Sequence, residues 1–180
     1  MRPLPNLRLN WKLISVHLLA IYCIRQGFFQ LSYLTAIDYL EAMRNDTLSE
    51  WSTASIASGR HHLLNNIGLF TIAGTLSGFL LSLYVSLRLK WYWVNSLIAF
   101  LLLIAITKLL PFEWYSLYPV LTFIGSFFHS LLIVHISFGA LFLASGGILL
   151  FHKSIQRFVS GRYLLVPEAS FQFEEPAVKL

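Results

Sequence analysis

Four long apolar runs decide what this chain can be. They cover about residues 11–37, 63–87, 91–110 and 117–151. A helix needs about 20 residues to cross a hydrocarbon core of roughly 30 Å. The second and third runs match that length, while the first and fourth must tilt, kink or extend into the interface. Only helices and closed barrels satisfy their backbones in lipid, and runs this long without period-2 alternation are not barrel strands. The charge content agrees: 12% of the 180 residues are charged and 57% are hydrophobic, against about 25% charged in an ordinary soluble domain. The expectation is an all-α integral membrane protein, a four-transmembrane-helix bundle in one domain over residues 1–162. A two-proline tail at 163–180 is expected to be disordered.

Basic residues set the orientation. Arg2, Arg8 and Lys12 precede the first run, Arg88 and Lys90 fill the link between the second and third, and Lys153, Arg157 and Arg162 follow the fourth. Four crossings put all of them on one side, and the positive-inside rule makes that side cytoplasmic, with both termini in. The membrane is then a plasma membrane, the inner membrane if the source is bacterial. Trp11, Trp91, Tyr92, Trp93, Trp114 and Tyr115 sit where interfacial aromatics belong. The basic N-terminus and the apolar stretch 13–24 resemble a signal peptide, but no Ala-x-Ala-like site follows, so a retained helix is expected. Tyr22 is too large to precede a lipid-modified cysteine at Cys23. Cys23 is the only cysteine, so no intrachain disulfide exists. The basic residues are scattered, not gathered on a soluble face, and no nucleic-acid partner is expected.

The outer connection, 38–62, begins with IDYLEAMRND, which continues the first helix, and ends with SEWSTASIASG, which reads as irregular or interfacial. Asp38 and Glu41 share a helical face, and Arg60-His61-His62 closes the same loop; carboxylates with imidazoles could hold a divalent metal or pair with Arg44 and Arg60. Asn45-Asp46-Thr47 is a glycosylation acceptor if the source is eukaryotic.

Two features suggest helix packing. Gly74 and Gly78 form a Gly-x-x-x-Gly element, and Ala140, Ala144 and Gly147 form a similar stripe in the fourth run. Small side chains let backbones approach, within the bundle or against a second copy or larger membrane partner.

The polar residues within the runs carry whatever chemistry there is. Ser15, Tyr22, Gln26, Gln30 and Tyr33 fall on one stripe of the first helix, which should face the bundle interior. Arg25 lies at its edge, about 21 Å along the helix from Trp11. A charge near the bilayer centre costs at least about 2.5–3.5 kcal/mol, and no run contains an acid to pair with it. Arg25 is expected to snorkel, to bond polar groups such as Thr75 or His129, or to bind an anion. A small-solute or ion pathway would be lined by Arg25, Gln26, Gln30, Thr71, Thr75 and His129.

His17 and His135, placed at comparable depth on different helices, could ligate a haem iron from both sides. With His61 or His62 before the second run, they make the chain distantly similar to the bacterial cytochrome b561 family. The resemblance implies haem b and electron transfer. Span three carries no histidine, however, and His129 and His135 are six residues apart and face different ways. The primary expectation is therefore a non-enzymatic accessory or permease-like subunit without a cofactor. The solute pathway and the haem protein stand as alternatives.

Overall fold

The computed structural model describes residues 9–109, 127, 128 and 130–160. All its regular elements are helices: α1 (Trp11–Ser32), α2 (Ile37–Arg44), α3 (Thr53–Arg88), α4 (Val94–Leu109), α5 (Leu131–Phe151) and α6 (Lys153–Ser160). Among the described residues, three stretches are long and apolar enough to cross a membrane: Trp11–Arg44, Thr53–Arg88 and Leu131–Phe151. The apolar α4 is shorter, at 16 residues.

Local chemistry sets the helix ends. Asn10 caps α1, its side-chain oxygen accepting from the backbone N–H of Lys12 and Leu13. The helix tightens into a 3₁₀ turn at Tyr33–Ala36, where Thr35 Oγ1 donates to Ser32 O at 2.6 Å. It resumes as α2 beyond Ala36, whose φ of −137° breaks the helical path. Ser52 caps α3 by accepting from Ser55 N at 3.1 Å. Lys90 ends α3 in the left-handed region at φ 55°, with Lys90 N donating to Leu87 O and Trp91 N to Ser86 O at 2.8 Å. That is the Schellman pattern, with lysine where glycine is usual.

α1 is the hub. It packs against α3, α4 and α5, and its buried positions lie on most sides of the helix. α3 runs antiparallel to it, with Ile21 opposite Gly78, Arg25 opposite Gly74 and Thr35 opposite Asn66. α5 is also antiparallel, with Gly146 against Ala20 and Ile24, and Gly139 against Gly27 and Leu31. α4 runs parallel; Asn95 meets Asn10, and Ala99 and Leu103 pack with Ile14 and Ile21. Outward faces carry Leu69, Ile72, Leu80, Leu101, Ile133 and Ile148, all exposed. An apolar surface this extensive suits lipid or a partner, not water.

Several boundaries differ from the sequence reading. Residues 53–59, expected to be irregular or interfacial, are the first turns of α3; Ser52 supplies the cap that starts the helix there. The third helix runs from Val94 to Leu109. The fourth begins at Leu131, with Ser130 extended and Phe127 and Phe128 non-helical, so residues 117–151 are not one helix. The expected features at Pro111, Trp114 and Tyr115, the segment 117–126, His129 and the tail lie outside the described residues.

Candidate functional sites

Two polar clusters hang on α1, one near each end. At the Asn10 end, His17 is completely buried. Its Nδ1 lies 2.6 Å from Ser82 Oγ and its Nε2 3.2 Å from Ser86 Oγ; Ser86 Oγ meets Ser96 Oγ at 2.7 Å, and Ser96 Oγ donates to Ser82 O at 3.3 Å. The protons then run in one direction. Ser96 gives its proton to the carbonyl, so Ser86 donates to Ser96, and His17 Nε2–H must donate to Ser86. Ser82 donates to the remaining ring nitrogen. Every group is satisfied by a neutral imidazole with its proton on Nε2. The Trp91 ring closes the site edge-on, 5.9 Å from the imidazole. Beneath it, the Asn10 N–H donates to Asn95 Oδ1 at 3.1 Å and Asn10 Nδ2 donates to Val159 O at 3.2 Å, binding α1, α4 and α6 together. Neither Ser86 and Ser96 nor Asn10 and Asn95 stood out in the sequence. Only their facing positions, known once α1 and α3 are docked, reveal them.

At the other end, buried Gln30 meets His135, with Oε1 2.8 Å from Nδ1, so the ring nitrogen donates. Tyr33 stacks on the His135 ring at 4.5 Å. Gln26 is also buried and hydrogen-bonds the side chain of Tyr22, which Arg25 is near enough to influence electrostatically. The inward-facing stripe thus includes Gln26 and Gln30, while Ser15 is exposed. Arg25 is half-buried, its backbone against Gly74. Thr75 Oγ1 donates to Thr71 O of its own helix at 2.7 Å. Among the described residues, no buried side-chain polar atom lacks a partner.

The structure corrects the supposed depth match of His17 and His135. His135 lies level with Gln30, thirteen residues beyond His17 on α1, which is about 20 Å at 1.5 Å per residue. The depth match fails because α5 continues well past His135, to Phe151. One iron does not bridge that separation, and each imidazole already bonds a neighbouring side chain.

Gly74 and Gly78 face α1 directly: a Cβ on Gly78 would lie 3.0 Å from Ile21 Cα, and one on Gly74 would lie 2.7 Å from Phe28 Cβ. The expected α5 stripe turns away from α1 and faces outward. Ala140 and Ala144 are exposed, and a Cβ on Gly147 would have nothing within 4 Å. Gly139 and Gly146 make the close contacts instead, opposite Gly27 and Ala20. Among the residues expected in the outer connection, His61 bonds Asn65 at 3.0 Å, while Asp38 and His62 line a common cleft. Among the described residues, no group of three or more His, Cys, Asp or Glu could hold a metal. No protein-family model, curated protein or solved structure matches this chain.

Proposed function

We propose that the protein is a multi-pass plasma-membrane component, crossing four times with both termini in the cytoplasm. Its role is that of a non-enzymatic accessory or permease-like subunit embedded in lipid. The observation that carries this reading is the division of labour among helices. α1 directs His17 and Gln30 to partners on α3 and α5 inside the bundle, while α3, α4 and α5 turn apolar faces outward. Polar groups are engaged in holding the fold, and the outer surface suits lipid, a second copy or a larger membrane partner. The four-span orientation draws support from charge. Lys12, Arg88, Lys90, Lys153 and Arg157 gather at the Asn10 end, and all the acids of the described residues lie toward the other.

A small-solute or ion pathway is the second reading, favoured by Gln26 and Gln30 lying on the interior side of α1 beside Arg25. Arg25→Leu separates the two. A subunit loses assembly or co-purification with its partner in mild detergent, and reconstituted wild-type protein passes no solute. If wild-type vesicles show a flux that Arg25→Leu abolishes, the accessory reading falls. A haem band in the absorption spectrum of the purified protein would revive the electron-transfer alternative.

A further inference from the structure

A cleft of about 520 Å³ opens between the segment 34–39 and the first turns of α3, with Trp51 in its lining. We propose that this cleft binds a small organic cation, a quaternary or protonated amine, with Asp38 as counter-charge and Tyr39 and Trp51 as aromatic walls. The inference goes beyond the subunit reading and does not depend on it.

Four observations converge. Among the described residues, the Asp38 carboxylate makes no ion pair or hydrogen bond, although it lines the cleft; by contrast, Arg44 in the same helix donates to Phe128 O at 2.7 Å. The Tyr39 and Trp51 rings stand edge to face, 6.5 Å apart at 63°, and an aromatic face attracts a cation through its quadrupole. The Tyr39 ring is set in place by Gly59, where a Cβ would lie 2.8 Å from Tyr39 Cδ2. Finally, residues 33–62 hold Asp38, Glu41, Asp46 and Glu50 against Arg44 and Arg60, an acidic end on a chain of net charge +5. A field of that sign concentrates cations at the mouth.

Other ligands fit less well. A divalent metal would find one carboxylate, Asp38, and one imidazole, His62, in the lining, with only neutral hydroxyls beside them, a weak set for a protein-held site. An anion would face the Asp38 carboxylate. The volume lies within the range of small-molecule sites, about 300–1,000 Å³. α1 alone accounts for about 33 Å of rise, so the cleft lies beyond the hydrocarbon, among headgroups and water. A soluble ammonium compound and a choline-type headgroup offer the same chemistry.

The test is calorimetric titration of the full-length protein in non-ionic detergent with tetramethylammonium chloride, against sodium chloride at equal ionic strength. Saturable binding is expected, weakened at least tenfold by Asp38→Asn and several-fold by Trp51→Leu. Asp38 is exposed, so its variant should fold, and circular dichroism checks this. Absence of saturable binding, equal affinity in folded Asp38→Asn, or equal binding of neutral glucose would overturn the proposal. Repeating the titration in nanodiscs separates the sources. Binding in phosphatidylglycerol discs but not in phosphatidylcholine discs makes the headgroup the occupant. Binding in both makes it a soluble ammonium, and loss in both refutes the site.

Discussion

Gly74→Ala adds one methyl group where α1 and α3 come closest. The new Cβ would lie 2.7 Å from Phe28 Cβ and 3.0 Å from Arg25 Cα. Ordinary contacts begin near 3.4 Å, so the helices must part by about 3.4 − 2.7 = 0.7 Å at this point. Neither obstructing atom is the free end of a flexible side chain, so rotamer changes give little relief. Overpacking of this kind costs about 1–3 kcal/mol. Replacing glycine by alanine within a helix returns up to about 1 kcal/mol. Gly68→Ala, in the same helix, supplies that gain alone, because a Cβ there has nothing within 4 Å. The difference between the two variants cancels propensity and isolates the steric term, expected at about 1–3 kcal/mol. Equilibrium unfolding by SDS in mixed micelles, followed by circular dichroism, measures it. If Gly74→Ala proves as stable as Gly68→Ala, the close α1–α3 approach is wrong. Spread of the strain along α3 is a further sign to seek, since Ser82 lies two turns away at 2.6 Å from His17.

Two other substitutions test particular contacts. His135→Leu orphans buried Gln30 and Gln30→Leu orphans the half-buried His135, each at a cost of about 1–3 kcal/mol; the double variant should cost less than the sum, and strict additivity in a double-mutant cycle would deny the hydrogen bond. Lys90→Gly relieves a left-handed residue at φ 55° and should stabilise by about 1 kcal/mol, read as a higher SDS midpoint; a lower one would speak against the Schellman end.

The helical class was legible because apolar, acid-free runs of this length leave the backbone few choices. The inward stripe was legible too, because Gln26 and Gln30 give α1 a polar phase. α5 has no such phase. Its polar residues, His135, Ser137 and Ser145, do not share one face, so the run does not say which side meets α1, and Ala140, Ala144 and Gly147 looked as suitable as Gly139 and Gly146. The His17 cluster was illegible for another reason. Ser82, Ser86 and Ser96 are ordinary small residues until two helix pairings bring their hydroxyls to one imidazole. The start of α3 was hidden because SEWSTASIASG is rich in serine, which reads equally as loop or as cap.

The hub position of α1 also bears on how the chain is made. Of the three long apolar segments, the one that begins with α1 has the lowest mean hydropathy, 1.2 against 1.7 and 2.0, yet is the most enclosed. It leaves the ribosome first, carrying His17, Arg25, Gln26 and Gln30 before any of their neighbours exist. Gln30 waits longest, since His135 is 105 residues downstream. During synthesis the least lipid-soluble helix must therefore stay beside the insertion machinery, or at the membrane surface, until α3 and then α5 arrive to enclose it.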